Sequence, residues 1–251
     1  MTWLHAVIDV PGERHAETAR FWSSVLGWPT GNSWPGHPEL CSFEPPAGAP
    51  YVHLQRHDGA PRVHLDVEAD DPWATVELAV AFGAQVVSNP SDSHDWCVMS
   101  SPGGLPFCVL DAKAHGAPDA VTWPGGHRTR LVQVCIDLPR SAAENEVAFW
   151  RRLLEGRWVT SRREEFECTW HDDAWSPVQL LFQRLDEPDG PVRAHLDLGS
   201  DDVPAEVARL LRGSAVDLGE GHGWHVLRDP AGLEFCVTSN SPELMVHRDL
   251  G

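Results

Sequence analysis

Four blocks of this sequence recur in the same order at an almost constant distance. Leu4-His5-Ala6-Val7-Ile8-Asp9-Val10 answers to Val132-Gln133-Val134-Cys135-Ile136-Asp137-Leu138, and Phe21-Trp22 to Phe149-Trp150. Val63-His64-Leu65-Asp66-Val67 answers to Ala194-His195-Leu196-Asp197-Leu198, and Leu105-Pro106-Phe107-Cys108-Val109 to Leu233-Glu234-Phe235-Cys236-Val237. The offset stays between 128 and 131 residues across all four blocks, so the chain is one domain of about 110 residues duplicated in tandem. The copies are expected at 1–112 and 128–240, joined by an Ala/Gly/Pro/His-rich linker at 113–127 and followed by a tail at 241–251. A polar position at which the copies differ then becomes a candidate for chemistry.

Each copy reads as two modules of strand, helix and three strands. In the first copy Trp3 to Val10 alternates as a strand, and Glu13 to Leu26 sets Ala19, Trp22 and Leu26 on one helical stripe that Gly27 terminates. A Pro/Gly-rich stretch from Gly31 to Pro50 holds weak strand candidates near Leu40 to Phe43 before Tyr51 to Arg56. Asp71-Pro72 is an N-cap with proline at the first helical position, and Trp73, Val76 and Val80 form the stripe of the second helix. The second copy repeats the scheme, with Val147, Trp150 and Leu154 on its first helix.

A formal net charge of −18 repels nucleic acid and anionic membrane surfaces, so neither is an expected partner. No apolar run reaches the roughly 20 residues that span a bilayer, and Met1-Thr2-Trp3-Leu4-His5 runs directly into a strand pattern; a cytoplasmic protein is expected. The six cysteines show no C-x-x-C spacing and sit mostly in apolar runs, as small reduced hydrophobes do, which predicts neither disulfides nor a thiolate metal site. Twelve Trp stand against one Tyr. Trp3, Trp34, Trp96, Trp170, Trp175 and Trp224 fall in strand or loop patterns, where indole either packs the core or forms a flat apolar wall for a ligand.

The paired modules, the Phe-Trp that closes each first helix, the H-L-D-V/L strand and the D-P-x-G-x-E-F-C-V ending resemble the vicinal-oxygen-chelate (VOC) superfamily. That superfamily includes glyoxalase I, extradiol dioxygenases and bleomycin-resistance binding proteins. The resemblance implies an α+β fold of tandem VOC domains, each with two βαβββ modules forming an incomplete eight-stranded barrel, or cup, with flanking helices. It does not by itself imply an activity.

Strand alternation then says which residues face the cup. They are Trp3, His5, Val7 and Asp9; His53 and Gln55; His64 and Asp66; and Pro106 with Cys108 in the first copy. In the second they are Gln133, Cys135 and Asp137; Gln179, Leu181 and Gln183; His195 and Asp197; and Glu234 with Cys236. Metal-dependent members of the superfamily take ligands from such positions, so the resemblance implies Gln133, His195 and Glu234 as a site for one divalent ion, Zn, Ni, Fe or Mn, with Glu234 the catalytic group. Pro106 replaces the acid in the first copy, so one cup per chain is expected to bind. If the first module closed its cup with the last, His5 would take the place of Gln133. Equally, a histidine beside an aspartate on a strand serves as a structural hydrogen-bonded residue, as His64 beside Asp66 would. His94 and Trp96 match His222 and Trp224 on the rim, and His225 replaces Cys97; a rim histidine is either a general base or a solvated loop residue.

The leading expectation is a bleomycin-resistance-like binder of a small apolar or cationic molecule, held by Trp3, His5, His53, His64, Trp96, Gln133, Gln183, His195 and Trp224. The alternative is a metal-dependent lyase, isomerase or dioxygenase. The expected assembly is a monomer with internal pseudo-two-fold symmetry or a homodimer.

Overall fold

The structure is a computed structural model describing residues 2–89, 95–113, 115–172 and 176–243. The first copy supplies β1 (Trp3–Val10), α1 (Gly12–Leu26), β2 (Thr30–Trp34), β3 (His37–Phe43), β4 (Val52–Arg56), β5 (Arg62–Ala69), α2 (Pro72–Ala81), β6 (Gln85–Ser88), β7 (Cys97–Ser100) and β8 (Pro106–Asp111). After β9 (Val121–Thr122) the second copy supplies β10 (Arg128–Leu138), α3 (Ala143–Leu153), β11 (Arg157–Thr160), β12 (Phe166–His171), β13 (Gln179–Arg184), β14 (Arg193–Ser200), α4 (Val203–Arg212), β15 (Val216–Glu220), β16 (Trp224–Arg228) and β17 (Glu234–Thr238). This is the tandem α+β architecture expected.

The first sheet runs β2-β3-β4-β1-β5-β8-β7-β6, and the second runs β11-β12-β13-β10-β14-β17-β16-β15 with β9 paired onto β10. Both modules of a copy therefore lie in one sheet, joined through the central strands β1 and β5 or β10 and β14. His5 shares a sheet with His64, and Gln133 with His195. The central strand β1 is buried along its whole length, so both of its faces are covered.

By packing, the chain divides into two compact units. One takes the described residues of Met1–Ala6, His64–Ala114 and Val134–Ala194, and the other those of Val7–Val63, His115–Gln133 and His195–Gly251. The leading helix of each copy consequently lies against the closing strand of the other. In one unit the ring of Phe107 on β8 meets Phe149 and Trp150 of α3, with centroids 5.8 and 5.3 Å apart. In the other, Phe235 on β17 meets Phe21 and Trp22 of α1 at 5.8 and 5.2 Å. These are fully or almost fully buried rings, each removing a large apolar surface from water.

A buried carboxylate fastens each of these junctions. Trp22 donates its indole N–H to Asp229 Oδ2 at 2.9 Å, and Asp229 Oδ1 accepts the Leu233 N–H at 2.9 Å, closing the turn before β17. Trp150 donates to Glu146 Oε1 at 2.8 Å, and Glu146 Oε2 accepts the Gly103 N–H at 2.8 Å in the turn before β8. At the repeat-equivalent positions Thr18 stands for Glu146 and Ser101 for Asp229. Ser101 Oγ accepts the Leu105 N–H at 2.9 Å, as Asp229 does for Leu233. One acid per junction is kept, on the helix in one unit and on the turn in the other.

The segment that leads into β10 is anchored by its side chains. Trp123 donates to Thr129 Oγ1 at 2.8 Å, and the Arg209 guanidinium lies 3.5 Å from the Trp123 ring centroid. Glu206 on α4, wholly buried, joins His127 Nε2 at 2.9 Å and Arg209 at 2.7 Å. Arg209 also donates to the carbonyls of Ser24 and Val25 at 2.8 and 3.1 Å, where a cation meets the negative end of the α1 dipole.

Several sequence expectations need adjustment. The Gly31–Pro50 stretch forms a full hairpin, in which Trp34 faces His37 across Pro35-Gly36 and Gly36 takes φ +81°. A turn of this kind needs a positive φ at its glycine, with proline ahead of it. On α2, Val76 and Ala79 are buried while Trp73 and Val80 are exposed, so the buried stripe is rotated from the one expected. On α3 the inward residues are Ala143, Glu146, Phe149 and Trp150, and Val147 is only half-buried. Asp71 caps α2 as expected, its Oδ1 accepting the Ala74 N–H at 3.0 Å. No helix among the described residues is long and apolar enough to cross a membrane.

Burial raises the carboxyls of both Glu146 and Asp229 above the ordinary range, outweighing the hydrogen bonds that lower them. The folded chain thus holds these protons more tightly than the unfolded one. Their contribution to stability is full below about pH 4, the unfolded carboxylate range, and is lost as pH rises through the higher folded values. The difference in melting temperature between Glu146→Gln and the native protein is expected to shift in favour of the variant as pH rises from 4 to 8. A pH-independent difference by calorimetry would refute this account. Trp150→Phe, which strands the buried acid, is expected to cost about 1.5–3 kcal/mol.

Candidate functional site

The strongest polar cluster begins with the motif His-x-Asp on β5 and β14. Alternation along a strand puts both side chains on one face. Parallel pairing then sets Asp66 opposite Cys108 on β8, and Asp197 opposite Cys236 on β17. Each copy thereby sets an aspartate opposite a cysteine of the neighbouring strand.

In the first sheet His64, Asp66 and Cys108 are all buried, and their ligand atoms lie within 4.8 Å of one another. His64 Nε2 is 3.3 Å from Asp66 Oδ1. The Cys108 thiol is pushed up to about 12, chiefly by burial and next by the charge of Asp66, with His64 acting in the opposite sense. In the second sheet His195 Nε2 is 3.4 Å from Asp197 Oδ1. Burial is again the main cause that raises the Cys236 thiol, with a hydrogen bond from His195 opposing it. Gln133 donates its amide to Asp197 Oδ2, and Asn240 donates to Gln133 Oε1 at 3.5 Å. Asp197 Oδ1 is buried and makes no hydrogen bond among the described residues. Such an oxygen is costly unless a proton, water or cation completes it.

The copies diverge beside this shared core. His5, the counterpart of Gln133, gives Nε2 to Glu68 Oε1 at 3.0 Å, and Glu68 Oε2 accepts the Lys113 N–H at 2.9 Å. The counterpart of Glu68 is Gly199, where a Cβ would come within 2.7 Å of the Asn240 carbonyl and 2.9 Å of Val132. With no acid on that side, Gln133 turns to Asp197.

The other expected site residues are distributed as follows. Trp3 is buried edge-on to His5, with ring centroids 6.2 Å apart. His53 is buried and bonded through Nδ1 to Ser42 Oγ at 3.0 Å, which also takes the Trp34 indole N–H at 2.9 Å. Gln183 accepts the Cys135 thiol at 3.4 Å. Trp96 and Trp224 are half-buried, and Trp170 is wholly buried. On the rim, His225 Nε2 lies 2.7 Å from Asp217 Oδ1, and His222 is exposed. Glu234 is 55% exposed and paired with Arg228 at 2.9 Å, at the open end of β17. It is Cys236, two residues on, that reaches Asp197. His94 and Trp175 lie outside the described residues.

All six cysteines are free and buried. Those of Cys41, Cys97, Cys108, Cys168 and Cys236 are pushed up by burial. The native protein is therefore expected to leave its thiols unreacted toward a disulfide reagent at pH 8, and to release all six in denaturant. A rapidly reacting native thiol at Cys108 or Cys236 would contradict the burial described.

A family model for the glyoxalase-like domain matches the chain twice, over residues 5–110 and 133–238. No curated protein matches it by sequence. Among solved structures, it is similar to the Mn(II)-bound glyoxalase from Novosphingobium aromaticivorans, with TM-score 0.67 and 18% identity over 99% of this chain and 87% of that one. The 2,3-dioxygenase LapB from Pseudomonas sp. KL28 has TM-score 0.61 and 12% identity, covering 98% of this chain and 94% of its own. A variant of homoprotocatechuate 2,3-dioxygenase from B. fuscum has TM-score 0.60 and 13% identity, with 94% and 70% covered. At these identities the likeness is one of fold.

Proposed function

Because the chain belongs to the glyoxalase-like domain family, we propose that it binds a small organic molecule at the polar centre of its second sheet, where His195, Asp197 and Cys236 hold a divalent cation beside Gln133. The observation that carries this reading is the buried Asp197 Oδ1, which has no hydrogen bond among the described residues and lies 3.4 Å from His195 Nε2. Imidazole, carboxylate and thiolate suit zinc, iron, nickel or manganese, and three protein donors leave coordination positions for ligand oxygens. When bound, the cation would polarise such oxygens and lower the thiol's pKa.

The chain's own residues would do the rest. Gln133, steadied by Asn240, orients the Asp197 carboxylate through its amide. The His195 side chain is 17% exposed against 9% for His64, which favours the second sheet as the accessible centre. The first sheet, with the same three donors and the His5–Glu68 pair closed over by the Lys113 backbone, is read as the structural partner. The Mn(II) and dioxygenase descriptions of the structural neighbours favour a metal-dependent lyase, isomerase or dioxygenase over a metal-free binder of the bleomycin-resistance type.

Protein stripped with chelator and titrated calorimetrically with Mn²⁺ or Zn²⁺ is expected to bind one ion tightly per chain. His195→Ala and Cys236→Ser should each weaken binding by about ten-fold or more, the range of a lost contact to a charged group. Glu234→Gln should leave it unchanged. An absence of binding, or equal losses in Glu234→Gln and His195→Ala, would overturn the assignment.

A further inference from the structure

A concavity lies where α3 meets β11, β12 and β13. Its volume is about 720 Å³, and its lining includes Arg140, Glu144, Val147, Arg151, Cys168 and Arg184. That volume is in the range of small-molecule sites and far beyond what an inorganic ion fills.

The three guanidiniums differ in what they already hold. Arg184 is tied to Glu167 at 2.9 Å. Arg140 reaches outward to Asp186 at 2.8 Å, where both side chains are largely exposed, a pairing that exchanges readily with solvent. Arg151 has no carboxylate partner among the described residues. Its guanidinium stands 5.5 Å from the Trp158 ring centroid and within hydrogen-bonding reach of the buried Cys168 thiol. In a chain with 37 acids and 19 bases, Arg151 lines the hollow engaged by an indole and a thiol but, among the described residues, by no carboxylate.

The repeat sharpens the point. Arg184 has a counterpart in Arg56, but the counterparts of Arg140 and Arg151 are Gly12 and Ser23. Both extra cations belong to the second copy alone. Between them α3 presents Ala143, Val147 and Ala148, an apolar surface.

We propose that this hollow binds a small organic monocarboxylate, its head group on the Arg151 fork with Arg140 alongside and its short aryl or alkyl body on Val147 and its alanine neighbours. A planar guanidinium matches a carboxylate in two parallel hydrogen bonds, which gives orientation as well as attraction. Glu144 on the same wall opposes the anion and sets an upper limit on affinity. None of these residues belongs to the centre around His195, so the two assignments stand or fall separately.

The probe is phenylacetate, titrated into metal-stripped native protein by calorimetry or by NMR, with benzylamine as the cationic counterpart. Saturable phenylacetate binding with a Kd of about 1 mM or below is expected, and none for benzylamine. Arg151→Gln is expected to weaken phenylacetate at least ten-fold with an unchanged melting temperature, and Glu144→Gln to tighten it. If Arg151→Gln fails to fold, Arg151→Lys, which keeps the charge and loses the fork, should still bind measurably more weakly than the native chain. No saturable binding, equal binding by the arginine variants, or preference for benzylamine would each overturn the proposal.

Discussion

Each leading helix is secured by an indole N–H lying on a buried carboxylate, and the rest of the fold is arranged around those two fastenings. The carboxylate satisfies a tryptophan that is otherwise wholly buried, and with its other oxygen it accepts a backbone N–H of the turn that precedes β8 or β17. That strand, β8 or β17, carries the cysteine of the polar cluster. An indole in the core, a backbone turn and the placement of a candidate ligand therefore depend on one acid. Moving the acid from turn to helix, as between Asp229 and Glu146, keeps the indole satisfied while Ser101 takes the Leu105 N–H. The exchange of Thr18 with Glu146 and of Ser101 with Asp229 is what a shared requirement for one charge per junction produces.

The two polar centres diverged by a similar economy of means. A common His-x-Asp and Cys core is retained in both sheets, and the neighbours decide how it is used. Glu68 draws His5 away and is itself closed off by the Lys113 backbone. A glycine at the corresponding place lets the Asn240 segment approach, and Gln133 then turns to Asp197. Two differences on the central strands, Glu68 against Gly199 and His5 against Gln133, separate a paired, enclosed histidine from an amide that supports a carboxylate.

Much of this was legible in the chain itself. The duplication, the capped helices at Asp71-Pro72 and Gly27, and the inward faces of the central strands follow from spacing and residue type. What period-two reasoning could not see was where a ladder ends. It put Glu234 and Cys236 on the same face, but Glu234 falls on the exposed end beside Arg228 and only Cys236 lies opposite Asp197. The Trp34-Pro35-Gly36 hairpin was available as a turn signal, and its short, polar strands hid it. Helical stripes likewise reveal that a face is buried without revealing by what. Phe21 and Trp22 carry no mark in the sequence that says their partner is Phe235.

That last pairing bears on how the protein is made. Trp22 and Asp229 are separated by 207 positions, and synthesis proceeds at about 5–20 residues per second, so Trp22 waits on the order of ten seconds or more for its acceptor. During that interval α1 has its own sheet but lacks the aromatic surface that covers Phe21 and Trp22. The first copy thus leaves the ribosome with an adhesive face. Until β17 is made, Phe21 and Trp22 stand without the Phe235 ring that they meet in the folded protein.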